Sequence, residues 1–131
     1  MPVEHVLADN KVVISWTGSP GWLSIIGTID YFNDAAVAAA LRGELDSRAD
    51  RESGTKVSAG DGGLHLDLSR LEFADAAAIR ALVSVANDAK AGQQLVLHGL
   101  PSLIRKVMLM VGWGEMPGLV IDEGGTPGAS P

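Results

Sequence analysis

Apolar and polar residues alternate most cleanly at Leu64, Leu66 and Leu68, with His65, Asp67 and Ser69 between them. A period of two predicts a strand with one buried face. A turn follows, and then the period changes. Ile79, Leu82, Val83 and Ala86 recur at helical spacing, and Asp75 stands ahead of them, where its carboxylate can accept from a free N–H of the first turn. The strand therefore leads the chain onto a helix N-terminus, where unpaired donors and partial positive charge favour an anion or a phosphoryl group.

Upstream, Val12, Val13, Ile14 and Trp16 supply the β-branched and aromatic content of a first strand, after a loosely held lead. Gly18, Ser19, Pro20 and Gly21 break it, and Trp22 to Gly27 form a second strand close enough for an antiparallel hairpin. Asn33 and Asp34 are caps for a helix through about Arg48, with Val37, Leu41 and Leu45 on one face and a run of alanines that favours close packing. Residues 51–63 read RESGTKVSAGDGG, a polar, glycine-rich stretch expected to be a mobile connector. Its Gly60, Asp61, Gly62, Gly63 run superficially suggests a phosphate loop, but it precedes a strand and lacks the lysine and hydroxyl of that motif.

Downstream, Gly92 marks the end of the central helix, and Leu95, Val96, Leu97 and His98 read as a strand buried on both faces. Pro101 suits the first turn of a helix to about Val111, with Leu103, Ile104, Val107, Met108 and Val111 available for packing, and Gly112 stops it. Leu119, Val120 and Ile121 make a final strand. From Leu64 onward the order is strand, helix, strand, helix, strand, which requires a mostly parallel sheet. With the opening hairpin, the expected fold class is α/β, a mixed sheet packed against helices. The expected organisation is one domain over residues 12–121, a lead at 1–11 and a disordered tail at 122–131.

Two segments give this pattern a family. Asp75, Ala76, Ala77, Ala78 after the strand and turn, leading into an apolar helix, resembles the central segment of STAS domains, the fold of bacterial anti-sigma factor antagonists. Gly27, Thr28, Ile29, Asp30 resembles the Gly-Glu-Leu-Asp that such domains commonly carry at the end of an earlier strand. In regulated members the acid is followed by a serine-rich tetrapeptide that a partner kinase phosphorylates. Here Ala76 and Ala77 stand where the serines would be and Ala78 follows, so the resemblance implies no phosphorylation at the usual segment. It implies a protein–protein interaction module that binds an anti-sigma factor of the serine kinase type and frees a sigma factor. Asp30, Asp75, Ala76, Ala77, Ala78 and Arg80 are then the partner-binding residues. The alternative is a soluble STAS regulatory subunit of a membrane transporter, or a ligand-binding STAS module. STAS relatives usually add a C-terminal helix, which DEGGTPGASP does not favour.

Composition narrows the chemistry. The 131 residues are 47% hydrophobic and 20% charged, which suits a soluble globular domain and excludes a wholly disordered chain. With a net charge of −6 and no basic run longer than Arg105, Lys106, a nucleic-acid groove has no electrostatic basis. No apolar stretch is long enough to span a bilayer and the first ten residues lack a signal-peptide pattern, so a cytoplasmic location without membrane insertion is expected. The absence of cysteine removes disulfides and thiolate chemistry.

The remaining candidates each have a packing alternative. His5, His65 and His98 have no ligand spacing, though His65 and Asp67 share a strand face, as an acid–base or metal pair or simply as a polar face. Trp16, Trp22 and Trp113 can anchor a partner or fill a core, and Trp113 lies in the loop VGWGEMPG. Asp30 is either a partner contact or a capping residue. Arg80, opposite Ile79, Leu82 and Val83, contacts an acidic partner or is a solvated helix residue. No catalytic motif is present, so no catalytic residue, metal or cofactor is assigned and an enzyme is the last choice. A homodimer is left open.

Overall fold

The computed structural model describes residues 5–18, 21–53, 63–89 and 93–122. Strands β1 (His5–Ala8), β2 (Val12–Trp16) and β3 (Trp22–Ile29) precede helix α1 (Asp34–Ser53). Strands β4 (Gly63–Asp67) and β5 (Leu71–Ala74) lead to α2 (Ala76–Asn87), and β6 (Gln94–His98), α3 (Ser102–Met110), a 3-10 turn (Trp113–Glu115) and β7 (Leu119–Ile121) complete the order. The seven strands form one sheet in the order β1-β2-β3-β4-β6-β7, with β5 paired to β3. β1, β2 and β3 pair antiparallel, and β3–β4, β3–β5, β4–β6 and β6–β7 are parallel. The mixed sheet and its opening hairpin are as the sequence predicts.

Alternation places Leu64, Leu66 and Leu68 on the same side as Ile14, Leu23, Ile25, Leu95, Leu97, Leu119 and Ile121, and all are buried. Val37, Leu41 and Leu45 from α1, Leu82 and Val85 from α2, and Met108 from α3 join the same core. Each such side chain contributes about 1.5–3 kcal/mol by leaving water. Trp22, Ile26, His65, Val96, His98, Val120 and Asp122 take the other parity and belong to no part of that core. The sheet thus has one face under helices, while the other mixes apolar Trp22, Ile26, Val96 and Val120 with polar His65, His98 and Asp122.

Gly27 is where β3 changes partners. Residues 22–24 pair with β4 and residues 27–29 with β5, with a register shift after Gly27. Its φ of +113° is left-handed, and a Cβ there would overlap the Lys11 carbonyl oxygen, which accepts from Thr28 N at 2.9 Å. Only glycine meets both demands.

Four local expectations need correction. His5–Ala8, read as loose lead, is a strand on the sheet edge. Leu71–Ala74, read as part of a turn, is a short strand. On α2 the inward side is Ala78, Ala81, Leu82, Val85 and Ala86, while Ile79 and Val83 are half-buried flank residues. On α3 only Met108 is fully buried, and Leu103, Val107 and Val111, expected to pack, are exposed because a nine-residue helix lies against the core along one narrow line. The connector from residue 54, Gly92 and the tail from residue 123 lie outside the described residues.

Because Leu82 is buried and Ile79 only partly so, Leu82→Ala should lose about 2–5 kcal/mol of stability and Ile79→Ala roughly half as much. Urea unfolding of the two variants checks the facing of the helix. Equal losses would rotate it.

Candidate functional site: an aromatic pair held by two aspartates

β3 ends at Ile29, and the chain must turn into α1 without stranding the first N–H groups of the new helical turn. Asp30 solves this as a reciprocal cap. Its Oδ1 accepts from Phe32 N at 2.9 Å, while Asn33 Oδ1 accepts from Asp30 N at 2.8 Å. Asp34 N then donates to the Asp30 carbonyl at 2.9 Å, so the helical turn begins here. This is the logic of a capping box with an amide in place of the usual carboxylate. Asn33 is buried and also donates through Nδ2 to the Thr28 carbonyl at 2.9 Å. The second Asp30 oxygen, Oδ2, pairs with Lys11 Nζ at 2.9 Å. The hydrogen bond from Lys11 holds the Asp30 carboxyl below its ordinary range, against an upward push from burial and with help from the Phe32 and Asn33 backbone.

Asp75 performs the matching task for α2. It sits in extended backbone at the N-cap and its Oδ1 accepts from Ala78 N at 2.9 Å. Its Oδ2 reaches out of the helix to accept from Tyr31 N at 3.0 Å. The Tyr31–Phe32 dipeptide is therefore pinned through both backbone N–H groups, one by each aspartate, while its side chains are 72% and 82% exposed. The two rings meet edge to face with centroids 5.3 Å apart, and Lys11 Nζ lies 5.1 Å from the Phe32 centroid. Phe73, also exposed, stands on β5 opposite Thr28, three residues before Tyr31. Large apolar rings on rigid, hydrogen-bonded backbone suit recognition of another surface, because little side-chain and loop entropy remains to be lost on binding.

A sequence model described as "Mlab, STAS domain" matches residues 12–121. The chain belongs to the STAS domain family. No curated protein matches it significantly. Among solved structures, the crystal structure of an anti-sigma factor antagonist from Mycobacterium paratuberculosis is similar at a TM-score of 0.59 and 17% identity, over 86% of this chain and 88% of that one. At that identity the likeness concerns the fold, and the STAS arrangement of sheet and helices is what the two share.

The STAS site residues expected from sequence divide by role. Asp30 and Asp75 come together through Tyr31, but both oxygens of each are committed to holding the loop. Ala76 is exposed at the start of α2, Ala77 half-buried and Arg80 exposed. Ala78 is a correction. It is buried in the core, because the third residue of the helix turns inward. Tyr31, Phe32 and Phe73 were missed, although two adjacent aromatics in a polar strand-to-helix turn were the available signal. Away from this STAS loop, His65 Nδ1 meets His98 Nε2 at 2.9 Å, and Asp67 Oδ1 accepts from Ser69 N and Oγ at 3.0 and 2.6 Å. Trp113 packs part-buried against the core. Among the described residues no group of three or more His, Cys, Asp or Glu side chains is placed to hold a metal, and no helix is long and apolar enough to cross a membrane.

Removing the Asp75 carboxylate orphans two backbone donors from different elements. Asp75→Ala should cost about 1–2 kcal/mol and speed hydrogen exchange at Tyr31 N and Ala78 N together, as followed by NMR. Asp30 carries a linkage prediction. Its folded-state carboxyl titrates below the unfolded one, so its contribution to stability is present above the unfolded value of about 3.9 and is lost as pH falls through the lower folded value. Lys11→Met should move the Asp30 titration upward and reduce the acid-side fall in melting temperature, read by carboxyl-carbon NMR and by melts from neutral pH down to about 3.

Proposed function

We propose that this STAS domain is a non-enzymatic, cytoplasmic interaction module that binds an anti-sigma factor of the serine kinase type and so frees a sigma factor. The observation that carries the reading is the rigid display of Tyr31 and Phe32, pinned by Asp75 and Asp30 beside the exposed Ala76. In this reading Tyr31, Phe32, Phe73, Ala76 and Arg80 make contact, and the aspartates position them. The STAS assignment and the likeness to an anti-sigma factor antagonist support this general kind of function.

The partner's kinase activity finds no hydroxyl at Ala76 or Ala77, so the module stays in its binding form while ATP is consumed. A phosphoryl group near the start of α2 would bring close to two negative charges onto the contact face. Its absence removes the usual means of release. The alternative, a regulatory subunit held by a transporter component, draws on the same missing hydroxyls, since such a subunit needs no kinase switch.

The test uses the purified chain and a kinase-type anti-sigma factor encoded in the same genome. Tyr31→Ala and Phe32→Ala should each weaken binding tenfold or more, as buried aromatic anchors do. Ala76→Asp should also weaken it without lowering the melting temperature, because aspartate is favourable in a first helical turn. Ala76→Ser should become a substrate where the wild type is not. Unchanged affinity in all three contact variants would remove this face from the interface.

A further inference from the structure

Among the described residues, the large hydrophobic side chains that stand exposed fall into two groups. Tyr31, Phe32 and Phe73 belong to the proposed docking loop, and Leu103, Val107, Leu109, Met110 and Val111 all lie on α3 or at its C-cap. Only Met108 of that helix is fully buried. Leu103, Val107 and Met110 follow one another at intervals of four and three, so they form a single stripe on the side away from Met108. Concentrated apolar surface of this kind marks a site of association.

The charges beside the stripe say what covers it. Residues 102–114 hold Arg105 and Lys106 and no acid, although the whole chain carries −6, and Glu115 follows at once. Lys106 and Glu115 are both exposed, and among the described residues neither the Lys106 ammonium nor the Glu115 carboxylate has a hydrogen bond or an ion pair. Glu115 sits in the 3-10 turn that Gly112, at a φ of +90°, folds back on the helix. That turn brings Gly114 so close to the helix that a Cβ on it would lie 2.6 Å from Leu109 Cδ2. Leu109 comes three residues after Lys106 and shares its side of the helix. Lys106 and Glu115 therefore border the stripe on one flank, the cation toward its N-terminal end and the acid at its C-terminal end.

This order is self-complementary. A two-fold axis across the helix sets a second α3 antiparallel to the first, keeps like flanks together and reverses the order along them. Lys106 of each copy then meets Glu115 of the other, with stripe against stripe between the two contacts. A parallel pair would set cation level with cation and acid level with acid. An anionic lipid surface fits less well, because Glu115 and a chain of net charge −6 would approach it.

We propose that the outer face of α3 is a self-association surface, on which a second copy of this chain lays its own α3 antiparallel, Lys106 to Glu115 at both ends. The surface is separate from the aromatic pair, so a dimer presents that pair twice. A nine-residue helix offers less than a standard interface, and the association is weak and concentration-dependent.

Sedimentation equilibrium of the purified chain tests this. Between about 1 µM and 1 mM the mass should rise from 13.6 kDa toward twice that value. A double variant, Leu103→Gln with Met110→Gln, changes side chains that are 72% and 83% exposed, and it should stay at the monomer mass with its circular dichroism unchanged. Lys106→Glu and Glu115→Lys should each weaken association several-fold, and the two together should restore it, since the pair then meets with its charges exchanged. A wild type at the monomer mass throughout, or an exchanged variant no better than the single ones, would overturn the proposal. A monomeric chain that binds phosphatidylglycerol vesicles through Met110 and Lys106 would overturn it as well, by giving the stripe to a lipid surface.

Discussion

The Asp75 carboxylate satisfies two backbone donors that belong to different parts of the fold, Ala78 N inside α2 and Tyr31 N in the loop after β3. Each bond alone is ordinary, worth about 1 kcal/mol. Together they impose a geometric condition, because α2 and the β3–α1 turn can be satisfied only in one relative placement. That placement fixes the N-terminus of α2 against the backbone that carries the aromatic pair. A hydrogen bond from Asp75 N to the Ile29 carbonyl at 3.3 Å and the pairing of β5 with β3 reinforce the same approach. The STAS surface of this chain thus follows from how two element ends are capped.

The three consecutive alanines show how little a residue's type says about its task. Ala76 is exposed, Ala77 half-buried and Ala78 buried among the core residues. A hydroxyl would face water at the first and have to find a partner at the third, where an unsatisfied one costs about 1–3 kcal/mol. Small side chains continue inward along α2 at Ala81 and Ala86. Ala78 therefore belongs with the packing of the helix, and the question of a switch concentrates on Ala76 and Ala77.

Much of the fold was legible because its strongest signals are local. The alternation at Leu64, Leu66 and Leu68 defined the central strand and its buried face, and the acid before α2 announced its cap. β1 and β5 were not legible, since four-residue strands with exposed Glu72 and Phe73, or at a sheet edge, have too few buried positions to impose a period. α3 offered more apolar residues than its short contact could bury, so pattern alone could not choose among Leu103, Val107 and Met108. The meeting of His65 with His98 depends on the parallel register of β4 and β6, a long-range fact absent from any local window. Asp30 has two readings in the sequence, and its bonds to Phe32 N and Lys11 Nζ show the capping one in detail, while the exposure of Tyr31 and Phe32 emerges only from the folded loop.

The division of β3 between partners also has a kinetic side. Its antiparallel edge meets β2 across a short turn, a contact cheap in loop entropy, whereas its parallel edge waits for β4 and β5, reached only after the whole of α1 and the chain beyond it. The hairpin can therefore close early and present an unpaired apolar edge, with Leu23, Ile25 and Ile29 still bare. Until the later strands arrive, that edge is the segment most open to pairing with a neighbouring chain. The handedness of Gly27 then acquires a second value, since a kink in the middle of a waiting strand makes it a poor template for extended, in-register association.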